Sequence, residues 1–113
     1  MQNEIPIIQK VYDFYRELYL IIPAMPKFDR HVIGAKIQNT CLELLENLLA
    51  ASHTNKQNKV KFLAKAAIKL DLLKILLRLS EDTKTLQTKK YLVLSEKLQE
   101  IGRMLGGWIK SLK

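Results

Sequence analysis

Residues that break α-helices occur only toward the two ends of this chain. They are Pro6, Pro23, Pro26 and Gly34, followed only by Gly102, Gly106 and Gly107. Between Gly34 and Gly102 no residue strongly interrupts a helix. A chain of 113 residues has the usual size of one domain. We therefore expect a single all-α domain over residues 1–113.

Apolar residues recur at spacings of three and four in four segments, which predicts helices at about 4–22, 30–51, 57–79 and 85–111. The first stripe is Ile8, Val11, Tyr12, Tyr15, Leu18, Tyr19 and Ile22; the second is Val32, Ile33, Ile37, Cys41, Leu44, Leu45, Leu48 and Leu49. Pro23 and Pro26 predict a turn between these helices, and Asp29 is a candidate N-cap for the second.

The third helix is predicted to be apolar on two sides. Its core stripe is Phe62, Leu63, Ala66, Leu70, Leu73 and Leu77, and a second group on the opposite side is Ile68, Leu72, Ile75 and Leu76. One bundle core can cover only one side of a helix. We therefore expect the second group to be the interface of a homo-oligomer.

The fourth helix carries a heptad seam of the kind found in helices that pack at shallow angles. Its members are Tyr91, Leu94, Leu98, Ile101, Leu105, Trp108 and Leu112. The predicted connections are short, so sequential helices are expected to be antiparallel neighbours. The predicted architecture is an antiparallel, up-down-up-down four-helix bundle.

Positive charge is concentrated in the third helix. The chain has a net charge of +8. Residues 53–78 carry seven basic residues against one acidic, whereas residues 1–52 carry five against six. This segment is either a solvated lysine face or a surface for a polyanion such as nucleic acid, whose binding would depend on salt. The candidate binding residues are Lys61, Lys65, Lys69, Lys74, Arg78, Arg103 and Lys110.

Exposed aromatic residues that could stack on bases are not evident, because Tyr91 and Trp108 belong to the seam, so sequence-specific reading of bases is not expected. The glycines at 102 and 106 share one side of the fourth helix, a spacing that favours tight packing within or between subunits over a ligand site.

A catalytic or metal site is not expected. His31 and His53 are predicted near opposite ends of one helix, and Cys41 lies on an apolar stripe, where a buried thiol is the simpler interpretation. Glu43 and Glu46 have no histidine at the offset of a di-iron site, so a solvated face is expected. No catalytic motif, cofactor fingerprint, signal peptide or membrane-spanning run is recognisable, which favours a non-enzymatic cytoplasmic protein.

The carboxyl-terminal string from Glu100 to Lys110, EIGRMLGGWIK, resembles the ending of the accessory variability determinant (Avd) proteins of bacterial and phage diversity-generating retroelements. Met25-Pro26-Lys27, Leu44-Leu45-Glu46 and the run from Leu73 to Leu79 agree with it. The resemblance covers nearly the whole chain, although only the terminal string is distinctive.

The resemblance implies a four-helix bundle that assembles into a homopentamer and binds a reverse transcriptase together with RNA or DNA, in support of mutagenic cDNA synthesis. Lys74 and Arg78 match a basic pair late on the family's third helix. Lysine at 74 departs from the arginine expected there and loses its bidentate geometry. The alternative is a structural or protein-interaction bundle similar to the proteins of 23S ribosomal RNA intervening sequences, with no dedicated nucleic-acid role.

Overall fold

The computed structural model describes residues 5–113, and all regular structure in that range is helical. Helix α1 is Ile5–Ile21, α2 is residues 27–52, α3 is Lys56–Asp82 and α4 is Thr88–Ser111. The all-α class is thus confirmed for the described residues, which form four main helices and no strand. The predicted start of the first helix, at residue 4, lies outside this range.

The four helices surround one core, and each of them packs mainly against two others. Helix α1 contacts α2 and α4, while α3 contacts α2 and α4, and the α2–α3 contact is the most extensive. The molecule measures 43 × 22 × 19 Å. At about 1.5 Å per residue, the 27-residue α3 is about 40 Å long and therefore spans the long dimension.

The core stripes of α3 and α4 are confirmed. The buried members are Leu63, Ala66, Leu70, Leu73 and Leu77 on α3 and Leu94, Leu98, Ile101, Leu105 and Trp108 on α4. Phe62, Tyr91 and Leu112 are half-buried and pack against them. On α2 the predicted Ile37, Cys41, Leu44 and Leu48 are buried, but Val32 and Leu49 are exposed. Removal of these side chains from water is the main term that stabilises the bundle.

Helix α1 buries a stripe that differs from the predicted one. Ile7, Val11, Phe14 and Leu18 are at most 1 % exposed, whereas Tyr12 and Tyr19 are more than half exposed. Phe14 was absent from the predicted stripe although it is fully buried. The prediction was wrong for the two tyrosines because a tyrosine hydroxyl needs a polar partner when buried, whereas phenylalanine needs none.

The joint between α1 and α2 was predicted as a turn, but α2 begins earlier than expected. A 3₁₀ turn at Ile22–Ala24 follows α1, and the helical backbone resumes at Lys27, directly after Pro26. Asp29 lies inside this first turn and makes no side-chain capping bond, so its assignment as N-cap is wrong. The helix continues through a π turn, Arg30–Gly34, into Ala35–Ser52.

Gly34 allows this joint to pack closely. A Cβ on Gly34 would lie 3.0 Å from Cγ2 of Ile22. An alanine there would therefore require the Ile22 side chain to move by a few tenths of an ångström.

The ends of α3 are set by polar side chains. Asn55 caps its first turn, because its Oδ1 accepts from the Asn58 N–H at 2.9 Å. The helix runs to Asp82 rather than 79, and the buried Ser80 donates its hydroxyl to the Leu76 carbonyl within it. Helix α4 then begins at Thr88, one of the two predicted starts, whose hydroxyl donates to Glu81 Oε2 at 2.8 Å.

None of the helices within residues 5–113 has both the length and the apolar character needed to cross a membrane.

Candidate nucleic-acid interface

The cations of α3 are divided between two flanks of the helix. Lys69 faces α2, where its Nζ lies 3.3 Å from Oε1 of Glu43. Lys74 faces α4, where a Cβ on Gly102 would lie 3.7 Å from the lysine Nζ. Lys69 is therefore neutralised by a neighbouring helix, whereas Lys74 lies on a flank that opens toward α4.

A groove runs along the α4 flank. It encloses about 470 Å³ and is lined by Ala67, Leu70, Asp71, Lys74, Gln99, Gly102, Arg103, Leu105, Gly106 and Ile109. Two cations, Lys74 from α3 and Arg103 from α4, border it together with the carboxylate of Asp71. We refer to this lining set as the basic groove.

Two further cations extend the basic groove along both helices. Arg78 lies one turn after Lys74, and Lys110 lies two turns after Arg103. Helical spacing places each of them on the same side as its partner, and both are exposed. Of the seven predicted binding residues, the structure therefore brings Lys74 and Arg103 into one groove, and Arg78 and Lys110 follow further along the same sides of their helices.

The other three predicted residues do not belong to this group. Lys61, Lys65 and Lys69 follow one another at four-residue spacing along a different edge of α3. Lys65 Nζ lies 5.6 Å from the centroid of the Phe62 ring, and Lys69 is paired with Glu43. Glu43 was expected to be simply solvated, and the structure assigns it this ion pair instead.

The glycines of α4 differ in their surroundings. A Cβ on Gly102 would make ordinary contact with Leu70 Cδ2 at 3.5 Å. A Cβ on Gly106 or Gly107 would meet no atom of the described residues within 4 Å. Gly102 thus packs against another helix of the same chain. For Gly106 and Gly107, close packing against another subunit stays a prediction.

The groove has the properties of a binding surface for phosphates. Lys74 supplies a mobile point charge, and the Arg103 guanidinium can donate two parallel hydrogen bonds to one phosphate. Because the groove is open along its length and glycine at 102 and 106 adds no side chain to it, an extended anionic chain can approach the helix surface.

Two kinds of site can be examined directly in the described residues, a reactive cysteine and a metal cluster. Burial raises the pKa of the Cys41 thiol to about 12, so the thiolate that would attack a substrate is not formed near neutral pH. No group of three or more histidine, cysteine, aspartate or glutamate side chains within residues 5–113 is placed to hold a metal ion.

Lys59 belongs to the basic segment but has a structural role that the sequence prediction missed. Its Nζ donates to the Ala51 carbonyl oxygen at 2.7 Å and lies 6.0 Å from the centroid of the Trp108 ring. The lysine therefore connects α2, α3 and α4 at one end of the bundle. Its spacing of four from the buried Leu63 was the signal that it lies on the core side of α3.

Exposed aromatic residues are present, so the prediction that none is evident was wrong. Tyr12, Tyr19 and Phe28 are all more than half exposed. They lie on α1 and on the first turn of α2, whereas the basic groove is formed by α3 and α4.

The outward side of α3 carries a line of apolar side chains at heptad spacing. Ile68, Ile75 and Leu79 are 66 %, 54 % and 47 % exposed, and Leu72 between them is half-buried. We refer to these four residues as the outer seam. Leu76, predicted to lie with them, is half-buried and packs against the core instead, and Leu79 takes its place.

Comparison with known proteins identifies one family. A family model described as bAvd-like matches residues 5–112, which is nearly all of the chain. This confirms the resemblance indicated by the carboxyl-terminal string. A search of curated proteins gave no match.

Proposed function

The chain belongs to the bAvd-like family, and on that premise we propose that it is a non-catalytic accessory protein of a diversity-generating retroelement. In this role it binds RNA or DNA and the retroelement's reverse transcriptase, and so supports mutagenic cDNA synthesis in the cytoplasm of a bacterium. The reverse transcriptase, as a partner, comes from the family resemblance.

The observation that carries the nucleic-acid part is a groove bordered by cations from two helices, Lys74 and Arg103, with a further cation along each helix. Lys74 and Arg78 come from α3, and Arg103 and Lys110 come from α4. Lys74 and Arg103 border one groove with a single carboxylate, Asp71, in its lining. Such a surface retains excess positive charge and attracts a polyanion through the release of counterions.

We also propose that the bundle is antiparallel, with helices running up, down, up and down. Pairs of contacts that run in opposite order along neighbouring helices support this. Between α2 and α3, Ala51 meets Lys59 and Glu43 meets Lys69. Between α3 and α4, Lys59 lies near Trp108, and Lys74 lies beside Gly102.

The proposed assembly is a homo-oligomer that forms through the outer seam, and the family resemblance sets its subunit number at five. An exposed line of aliphatic side chains costs free energy in water, and a second copy would cover it. Sedimentation or light scattering at micromolar concentration tests this proposal, because a wild-type monomer would contradict it.

The nucleic-acid proposal is tested with a double variant, Lys74→Ala with Arg78→Ala, titrated with single-stranded RNA at several salt concentrations. If each cation neutralises one phosphate, the slope of log affinity against log salt falls in magnitude by about 1.4. The matched control is Lys27→Ala with Lys36→Ala, two exposed lysines outside the basic groove that remove the same charge.

An equal loss of RNA affinity in the two double variants would mean that the net charge of the protein, rather than this surface, determines RNA binding. Unchanged binding of both RNA and reverse transcriptase in the Lys74 and Arg78 variant would show that the assigned surface is wrong. Weak binding with little salt dependence in the wild type would favour the protein-interaction bundle instead.

A further inference from the structure

The basic groove contains one residue that phosphate binding does not explain. Asp71 lines the groove together with Lys74 and Arg103, and its side chain is exposed. Lys74 follows Asp71 by three residues, so the two lie on the same side of α3, about 4.5 Å apart along the helix axis. A carboxylate beside a bound phosphate repels it, and Asp71 therefore lowers the affinity of the groove for phosphate alone.

The fold does not use the carboxylate of Asp71 either. Within residues 5–113, no salt bridge or side-chain hydrogen bond joins Asp71 to another residue. An ionised carboxylate accepts hydrogen bonds through two oxygens and donates none. Both oxygens of Asp71 are therefore available to a hydrogen-bond donor on a ligand in the groove.

The lining of the groove suits the backbone of a nucleic acid better than its bases. None of the described residues that line it is aromatic, so the groove offers no stacking platform for a base. Lys74 and Arg103 supply positive charge for phosphates, and Gly102 and Gly106 add no side chain that would hold a backbone away. The sugar–phosphate chain is therefore the part of the ligand that lies against Asp71.

The sugar determines what Asp71 can bind. The phosphate oxygens of both nucleic acids are acceptors, whereas the 2′-hydroxyl of ribose is a donor that RNA has and DNA lacks. This hydroxyl is on the carbon next to the one that bears the 3′-phosphate. A chain whose phosphate contacts Lys74 therefore brings a 2′-hydroxyl close to a carboxylate one helical turn away. Carboxylates bind ribose hydroxyls in this way in dinucleotide-binding proteins.

We infer that Asp71 makes the basic groove selective for RNA over DNA, because its carboxylate accepts a hydrogen bond from a ribose 2′-hydroxyl while Lys74 and Arg103 hold the neighbouring phosphates. The inference rests on the proposed function, since it assigns a specificity to the surface proposed there. With RNA, the hydrogen bond offsets the repulsion between the carboxylate and the phosphates. With DNA, the repulsion remains. The preference does not depend on base sequence, because every ribose of an RNA strand carries this hydroxyl.

Three labelled single strands of one sequence and length test the inference by fluorescence anisotropy: RNA, 2′-fluoro RNA and DNA. The 2′-fluoro RNA keeps the sugar pucker of RNA but lacks the hydroxyl hydrogen, so it separates the hydrogen bond from the shape of the chain. The wild-type protein should bind RNA roughly tenfold more tightly than either of the other strands, which is the value of one hydrogen bond to a charged group.

Two alanine variants show whether Asp71 is the source of this preference. Asp71→Ala should bring the ratio of the affinities for RNA and 2′-fluoro RNA close to one. Asp82→Ala is the matched control, because Asp82 is an exposed acid further along α3 that does not line the groove. Each substitution raises the net charge by one, which strengthens the binding of all three strands alike and leaves their ratio unchanged. Both positions are exposed, so both variants should keep the helical circular dichroism of the wild type.

Three results would overturn the inference. They are equal affinity of the wild type for RNA and 2′-fluoro RNA, an Asp71→Ala variant that keeps the wild-type ratio, and an Asp82→Ala variant that loses the ratio to the same extent. In each case, salt-dependent binding of RNA by the wild type would leave the proposed function in place. A wild type that binds none of the three strands would instead contradict the proposed function itself.

Discussion

The two flanks of α3 carry the same kind of residue and differ in what the neighbouring helix offers to it. Toward α2, Lys69 meets the carboxylate of Glu43 at 3.3 Å. Toward α4, Lys74 meets Gly102, which has no side chain, and Arg103, which adds a second cation to the same groove. The charge that Lys69 and Lys74 offer to a partner therefore depends on what the facing helix places beside each of them.

Because of this difference, the number of lysines on α3 overestimates how many of them contribute to binding. A lysine paired with a carboxylate must exchange that partner for a phosphate, so it contributes little to the free energy of binding. A lysine beside another cation contributes more to the free energy of binding, because the bound anion reduces the repulsion between the two cations. The basic groove is thus expected to dominate binding although both flanks are basic.

The largest expected effect comes from removing the two cations that border the groove. Lys74→Ala with Arg103→Ala should weaken single-stranded RNA binding roughly 15-fold at about 0.15 M salt, since each phosphate contact on a single strand contributes a factor of about 4 there. Fluorescence anisotropy with a labelled RNA measures this loss. The matched pair Lys61→Ala with Lys65→Ala removes the same charge outside the groove and should lose less RNA affinity. Equal losses in the two double variants would show that the groove is not the preferred surface.

The next effect concerns stability on the groove flank. Gly106→Ala should raise the free energy of unfolding by about 1 kcal/mol, because alanine favours a helix and its Cβ meets no described atom within 4 Å. Gly34→Ala should lower stability instead, because its Cβ would lie 3.0 Å from Cγ2 of Ile22, a buried side chain with little room to move. Thermal denaturation of both variants measures the two opposite shifts, and a loss of stability at Gly106 would contradict the open surface described there.

A smaller effect should follow from making the α2 flank resemble the α4 flank. Glu43→Gln removes the carboxylate that neutralises Lys69 and should raise RNA affinity by up to a factor of about 4, the value of one phosphate contact. Glu46→Gln, on the same helix and without a described ion pair, removes equal charge as its control. Indistinguishable gains in the two variants would show that Lys69 is not specifically restrained by Glu43.

The smallest effect belongs to the ion pair that joins α1 to α4. The hydrogen bond and positive charge of Lys10 lower the pKa of Glu100. The pair's contribution to stability is therefore present above the usual glutamate pKa and is lost as the pH falls through the lowered value. Lys10→Gln should move the Glu100 pKa back upward in an NMR titration, and an unchanged pKa would contradict the assigned cause.

The stripes of α3 and α4 could be predicted from sequence because each helix has a continuous three-and-four apolar repeat. The stripe of α1 could not, since Tyr12 and Tyr19 fit the same spacing as true core residues, and burial of their hydroxyls is decided by neighbours. The early start of α2 was missed because Asp29 has the chemistry of a cap, whereas the helix begins directly after Pro26.

The sequence predicted which residues belong to the candidate site, but it did not predict how they are arranged across two helices. The spacing of Lys74 and Arg78 placed them on one edge of α3, but their convergence with Arg103 depends on how far α4 slides along α3. The pairing of Lys69 with Glu43 likewise depends on the packing of two helices. Helical spacing predicts which residues of one helix share a side, whereas a groove depends on how two helices are positioned against each other.

The four glycines of the chain provide the most direct test of the claim that the groove flank is the binding surface. In protein labelled with ¹⁵N at glycine, addition of single-stranded RNA should shift the amide resonances of Gly102 and Gly106, which line the groove. Gly34, at the joint between α1 and α2, should keep its position. Unmoved groove glycines on saturation with RNA, or an equal shift of Gly34, would contradict the account.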